Sequence, residues 1–171
     1  MSPIVPLRFR ITRIVDYAKG LSKLTDNDLL EKAKAIRWEM RSGVSSRARQ
    51  DECLSLAIEA CRRTMGIFHF PVQILGALNL LNGRVIEMQT GEGKTATAVL
   101  PAAVRAMVGR GCHVVTSNDY LAKRDAGGKK RCQVSLIASH LSPAGFSRWH
   151  ARNAFVRQVK SSTFSIEQSL G

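Results

Sequence analysis

The amino-acid sequence predicts an α/β fold in which N-terminal helices precede the start of a parallel β-sheet that the 171 residues leave incomplete. Two observations lead to this prediction. Apolar residues recur at helical spacing through residues 10–65, and after residue 66 a strand, a glycine-containing turn, a helix and a second strand follow one another. A strand, a helix and a second strand in that order form a βαβ unit, whose two strands are parallel.

Residues 1–65 are predicted to form a helical segment whose three helices serve packing. The second helix is predicted to begin at Thr25, with Asp28 placed as in a capping box, and to end at Gly43. The apolar stripes of the three helices are Ile11, Ile14, Val15, Ala18 and Leu21, then Leu29, Ala33, Ile36 and Met40, then Leu54, Ala57, Ile58, Cys61 and Met65.

Residues 66–126 are predicted to form part of a nucleotide-binding domain. Pro71 suits the first turn of a fourth helix, and residues 84–88 and 113–116 have the composition of strands on either side of an alanine-rich helix over 95–108. Asn118 or Asp119 is expected to cap a further helix. The buried side of the fourth helix is predicted to be Val72, Leu75, Leu78 and Leu81.

Residues 127–171 are predicted to be a basic, diverged and poorly ordered tail. Seven Lys and Arg residues accompany a single acidic residue, Glu167, so this segment supplies +6 of the net charge of +13. Such a surface attracts anions, which include nucleic acid, acidic lipid headgroups and acidic protein segments, and an ordinary solvated surface is the alternative. The four cysteines have no metal-type or redox-type spacing, which favours reduced thiols in a cytoplasmic protein.

The residues that carry chemistry are predicted to lie in the turn Met88–Thr95, which reads M-Q-T-G-E-G-K-T. Gly91 and Gly93 allow the backbone to turn tightly and to direct several N–H groups at phosphate oxygens. Lys94 adds a positive charge, and Thr95 offers a hydroxyl to magnesium. The turn departs from G-x-x-x-x-G-K-[ST] in that Met88 replaces the first glycine. The alternative is a strand-to-helix turn with a chance lysine.

Gln73 is a candidate for recognition of adenine, because its amide offers one donor and one acceptor to the edge of the base. An exposed helical glutamine is the competing interpretation. His69 and Phe70 precede it in the sequence and favour a packed aromatic pair over catalysis.

Three blocks of sequence resemble the opening of SecA, the motor that drives preproteins through the membrane channel. They are Phe70–Gln73, Glu87–Thr95 and Val114–Ala126, and the resemblance extends over about residues 20–126. The turn Met88–Thr95 resembles the first motif of the helicase-type motors. The resemblance as a whole implies an amino-terminal fragment, which ends within the first nucleotide-binding domain of the family; this domain has the P-loop, RecA-like fold. Pro71 and Ser117 depart from the family pattern, which usually has Asp and Val there.

The resemblance also implies ligands and partners. Gln73 would contact adenine, and Gly91, Glu92, Gly93, Lys94 and Thr95 would wrap the phosphates of ATP or ADP, with Mg²⁺ on the Thr95 hydroxyl. The implied partners are preprotein and the membrane translocation channel. An anionic lipid surface is a further candidate partner, which the basic charge and not the resemblance suggests. The implied location is cytoplasmic, and peripheral on the cytoplasmic face of the membrane.

Hydrolysis by these residues alone is not expected. A nucleotide motor needs a carboxylate pair on a later strand, and after Glu92 the acidic residues are Asp119, Asp125 and Glu167. Two other functions stay open: a helicase-type fragment that binds nucleic acid, which the net charge favours, and a non-enzymatic interaction module built on the N-terminal helices.

Overall fold

The computed structural model describes residues 7–43, 46–108, 113–114 and 166–167. The predicted helices are confirmed with shifts of a few residues at their ends. In chain order the elements of the described residues are α1 (Leu7–Leu21), α2 (Asp26–Arg41), α3 (Arg47–Met65), α4 (Pro71–Leu81), α5 (Lys94–Val108), β1 (His113–Val114) and β2 (Ile166–Glu167).

Local hydrogen bonds define the ends of the N-terminal helices. The predicted capping box of α2 is confirmed, because the Thr25 hydroxyl accepts from the Asp28 amide at 3.2 Å and the Asp28 carboxylate accepts from the Thr25 amide at 3.3 Å. The Thr25 hydroxyl also donates to the Asp28 carboxylate at 2.7 Å, and this bond, together with the bond from the Thr25 amide, lowers the pKa of the Asp28 carboxyl. The Ser46 hydroxyl caps α3 by accepting from the amide of Arg49, and Gly66 caps the C-terminal end of α3.

The core forms around α3, which packs against α1, α2 and α5, while α4 packs on α5. The predicted stripe of α2 is confirmed, since all four of its residues are buried. For α4 the prediction is wrong at Val72, which is 52% exposed. The buried face is instead Ile74, Ala77, Leu78 and Leu81, the i, i+3, i+4, i+7 pattern that an amphipathic helix presents to a core.

Charged side chains join the first three helices. Arg10 of α1 is 8% exposed, and its guanidinium donates to the carboxylate of Asp51 in α3 at 2.6 Å. Arg13 is a second partner of the same carboxylate. Arg63 of α3 donates to the carbonyl oxygens of Leu21 and Leu24, which lie at and just after the C-terminal end of α1. Buried polar groups are tolerated where they are paired in this manner.

The predicted sheet is not seen in the part of the chain that the structure describes. Residues 84–88 form no strand, because a strand requires a hydrogen-bonded neighbour and no described segment pairs with them. Burial nevertheless alternates there: Ile86 and Met88 are half-buried, while Val85 and Glu87 are exposed. β1 lies at the start of the predicted second strand, and it pairs in antiparallel orientation with β2, which lies outside the predicted βαβ unit.

Three predictions lie outside the described residues. These are the helix after Asn118 and Asp119, the order of the tail over 127–171 apart from β2, and the environments of Cys112 and Cys132. Among the helices that the structure describes, none combines the length and apolarity that a membrane span requires.

Candidate phosphate-binding loop

The last turn of the loop before α5 contains two glycines with positive φ. Gly91 has φ of 92° and Gly93 has φ of 84°, and both values lie in the left-handed region that side chains with a Cβ rarely adopt. The Glu92 carboxylate accepts from the amide of Gln89 at 2.7 Å, and the Glu92 amide donates to the Gln89 carbonyl at 3.3 Å. Residues 89–92 therefore form a hydrogen-bonded turn, and the carboxylate of Glu92 accepts a hydrogen bond from within that turn.

The loop ends at the N-terminus of α5, which begins at Lys94. The first intrahelical bond runs from the Thr97 amide to the Gly93 carbonyl at 2.9 Å, so the amides of Lys94, Thr95 and Ala96 have no acceptor within the described part of the chain. Such amides, together with the helix dipole, favour an anion at this position.

The two polar side chains at the start of α5 are also available to a ligand. Lys94 is exposed, and its ammonium group has no hydrogen-bond or ion-pair partner among the described residues. Thr95 is half-buried, and its hydroxyl likewise has no partner among those residues. The same ranges contain no cluster of His, Cys, Asp and Glu suited to a metal ion. Magnesium held here would accordingly rest on phosphate oxygens and the Thr95 hydroxyl.

Gln73 does not extend freely into solvent. It is 7% exposed, its amide nitrogen donates to the Glu92 carbonyl at 3.0 Å, and its amide oxygen accepts from the Phe70 amide at 3.2 Å. The structure thus brings Gln73 against the loop, 19 residues further along the chain. One N–H and one lone pair of this amide remain for a base edge.

His69 contacts the first turn of α5. Its Nε2 lies 3.1 Å from the Ala96 carbonyl oxygen, which can only accept, so Nε2 carries the proton. Nδ1 is buried and has no partner among the described residues. Burial lowers the pKa of His69, and the hydrogen bond to Ala96 opposes this shift only in part. The sequence interpretation of His69 and Phe70 as a packed aromatic pair is wrong, because Phe70 is 64% exposed and His69 instead makes this polar contact.

Close packing of α4 on α5 sets the position of the loop. A Cβ at Gly76 would lie 2.9 Å from the Thr97 methyl group and 3.1 Å from the Ile86 Cδ1. Thr97 is 1% exposed and β-branched, so its methyl group has little freedom to move. The absence of a side chain at Gly76 therefore lets α4 approach the start of α5.

The structure brings together all six residues that the sequence analysis nominated: Gln73, Gly91, Glu92, Gly93, Lys94 and Thr95. Their roles toward a ligand remain predictions. Within the described part of the chain, left-handed glycines, helix-start amides without acceptors and a lysine without a partner make this turn a candidate for binding phosphate groups.

Comparison with known proteins places the chain in a family. The family model for the SecA DEAD-like domain matches residues 2–155. The chain therefore belongs to the SecA DEAD-like domain family, and this membership implies a RecA-like fold.

Curated relatives agree with this assignment. The chain is 46% identical over 121 residues, 68% of its length, to the protein translocase subunit SecA of Alcanivorax borkumensis. It is 40% identical over 155 residues, 90% of its length, to that of Buchnera aphidicola subsp. Cinara cedri. It is 44% identical over 120 residues, 70% of its length, to that of Heliobacterium modesticaldum.

These relatives are much longer proteins. The matched segment spans 13% of the relative from Alcanivorax borkumensis, 18% of that from Buchnera aphidicola subsp. Cinara cedri and 14% of that from Heliobacterium modesticaldum. The similarity thus concerns less than a fifth of the length of each of these relatives.

Proposed function

We propose that this chain binds ATP or ADP together with Mg²⁺ at Met88–Thr95, as a SecA-type protein of preprotein translocation. The observation that carries the proposal is the start of α5, where three helix-start amides and the Lys94 ammonium have no partner among the described residues and lie beside the left-handed glycines. Family membership supports the same ligand class. In this site Lys94 neutralises the outer phosphates and the Thr95 hydroxyl supplies a ligand to magnesium.

Binding without hydrolysis is the second part of the proposal. The acidic residue of the turn, Glu92, is bonded to the Gln89 amide of its own turn, and the described residues contain no cluster of His, Cys, Asp and Glu suited to a metal ion. After Glu92 the sequence contains three acidic residues, which are Asp119, Asp125 and Glu167. Groups that stabilise charge in phosphoryl transfer contribute on the order of 10³–10⁵ in rate. Residues 1–171 by themselves should therefore turn over nucleotide far below ordinary enzyme rates.

The proposed partners follow from the family. A SecA-type protein engages preprotein and the membrane translocation channel, and peripheral attachment at the cytoplasmic face, assisted by anionic lipid, accords with the net charge of +13.

A titration with a fluorescent ADP analogue and Mg²⁺ tests the binding proposal. Lys94→Ala should weaken binding about ten- to hundredfold, because a hydrogen bond to a charged group contributes about 1.5–3 kcal/mol. Lys23→Ala is the matched control, since it removes an exposed lysine outside the loop and should leave binding unchanged. Equal affinity of the Lys94→Ala and wild-type chains would contradict the proposed role of Lys94.

The same preparations test the absence of hydrolysis. Phosphate release from ATP should stay at the level of a protein-free blank. Turnover at ordinary enzyme rates that disappears in Lys94→Ala would show that the 171 residues already contain a competent catalytic set.

A further inference from the structure

We propose that Gln73 and His69 are positioning residues that hold the phosphate loop in its binding conformation whether or not a base is present. The inference rests on the proposed nucleotide site and extends it. It assigns to Gln73 a role that is independent of adenine, and it gives His69 a role that the sequence analysis did not foresee.

The Gln73 amide is oriented before any ligand arrives. Its oxygen accepts from the Phe70 amide at the start of α4, and this bond determines which end of the side-chain amide faces the loop. The nitrogen is thereby directed at the Glu92 carbonyl, 3.0 Å away. The opposite orientation would place two oxygens against each other, so the side chain has one favourable state.

Holding the Glu92 carbonyl fixes the direction of the next amide. In a planar trans peptide the C=O and the following N–H point in opposite directions. The Glu92 carbonyl is turned toward Gln73, so the N–H of Gly93 is turned away from α4. The contact is close, because a Cβ added at Gly93 would lie only 2.4 Å from the Gln73 nitrogen. Glycine at this position therefore serves the approach of Gln73 as well as the positive φ.

His69 provides the second point of attachment. It donates to the carbonyl of Ala96, and Gln73 donates to the carbonyl of Glu92, so the two contacts lie on opposite sides of Lys94 in the chain. Both donors belong to the segment that enters α4, and both acceptors belong to the backbone of the loop and the first turn of α5. The two side chains therefore fix the backbone whose amides face the proposed phosphate position, and in this proposal they do so without contacting phosphate themselves.

Base-free phosphate chains separate this role from recognition of adenine. Mg²⁺–tripolyphosphate and Mg²⁺–ADP would be titrated calorimetrically into the wild-type chain, Gln73→Met and His69→Phe. Each variant removes the donor and keeps roughly the shape of the side chain. Both are expected to weaken tripolyphosphate and ADP binding by similar factors, roughly three- to tenfold, the range that one lost hydrogen bond supports.

Three further variants control for general effects on the fold. Asn79→Leu removes an amide from the same helix, whose nitrogen donates to the Leu75 carbonyl rather than to the loop, and should leave both affinities unchanged. His69→Gln restores an N–H donor and should recover most of the binding. Gln73→Asn is shorter by one methylene group, cannot span the contact with Glu92, and replaces Gln73→Met should the latter not fold.

The outcomes are distinct. A loss of ADP binding with unchanged tripolyphosphate binding in Gln73→Met would overturn the inference, because Gln73 would then act on the base alone. Binding of ADP but not of tripolyphosphate by the wild-type chain would also overturn it. A wild-type chain that binds neither ligand would refute the proposed function itself, and the inference with it.

Discussion

The first three helices and the loop region use charge in opposite ways. In α1–α3, Asp51 is 4% exposed and contacts two arginines, and Glu59 is 2% exposed and accepts from Arg62 and Arg63. At the start of α5, Lys94 is exposed and unpaired among the described residues. The difference shows which charges stabilise the fold and which remain available to a ligand.

The loop is also supported differently. The helices of the N-terminal segment are joined by a shared apolar core and several ion pairs, whereas Gln73 and His69 each contribute one hydrogen bond to the backbone of the loop and of the first turn of α5. Such a loop can be altered without loss of the helical core. Substitutions in the first region should therefore change stability, and those at the loop should change binding.

The largest effect is expected for Asp51→Ala. It leaves the Arg10 guanidinium buried without its carboxylate, and removal of one partner of a buried ion pair costs about 3–5 kcal/mol. Asp16→Ala is the control, because Asp16 and Lys19 form an exposed i, i+3 pair that should contribute less than about 1 kcal/mol. Urea unfolding of both variants gives the comparison. Equal losses of stability would mean that burial does not distinguish the two pairs.

A smaller effect is expected for Gly76→Ala, where α4 meets α5. The new methyl group meets the Thr97 side chain, and overpacking of this kind costs about 1–3 kcal/mol, which exceeds the helix-propensity gain of about 1 kcal/mol. Gly20→Ala is the matched control in α1, because nothing lies within 4 Å of its Cβ position. Gly20→Ala should stabilise the protein by about 0.5–1 kcal/mol. Stabilisation of both variants in thermal unfolding would show that the α4–α5 contact is looser than described.

The smallest effect concerns pH. Burial lowers the pKa of His69 below its unfolded value of about 6.5, so the unfolded chain takes up a proton first as the pH falls. The stability contribution of His69 is present above that value and is lost as the pH falls toward the lowered folded pKa. His69→Gln should therefore flatten the decline in melting temperature between about pH 7 and pH 5. An identical decline in both proteins would contradict the burial of a neutral imidazole.

What the sequence predicts well is local. The capping box at Thr25 and the glycine turn before Lys94 involve residues a few positions apart, so their patterns are visible in a single sequence. The prediction of a sheet is less secure than these local predictions. Residues 84–88 have the alternating burial of a strand, but the formation of a sheet also requires pairing with segments that are distant in the sequence.

Contacts between distant residues were not predicted. Arg10 pairs with Asp51 across 41 positions, and the Gln73 amide bonds to a backbone carbonyl, that of Glu92. Every residue type has such a carbonyl, so the sequence does not indicate which one Gln73 contacts. One signal was present, because Arg10 precedes Ile14, Ala18 and Leu21 at helical spacing and so places a charge on an apolar stripe. A charge on such a stripe indicates a buried partner from another element.

Amide hydrogen exchange with and without Mg²⁺–ADP tests the central claim most directly, because it reports on the backbone amides themselves. Saturating nucleotide should slow exchange over residues 89–97 in the wild-type chain, leave α1–α3 nearly unchanged, and have little effect on Lys94→Ala at the same concentration. Protection spread evenly over the helices, or none at the start of α5, would contradict a phosphate site formed by these amides.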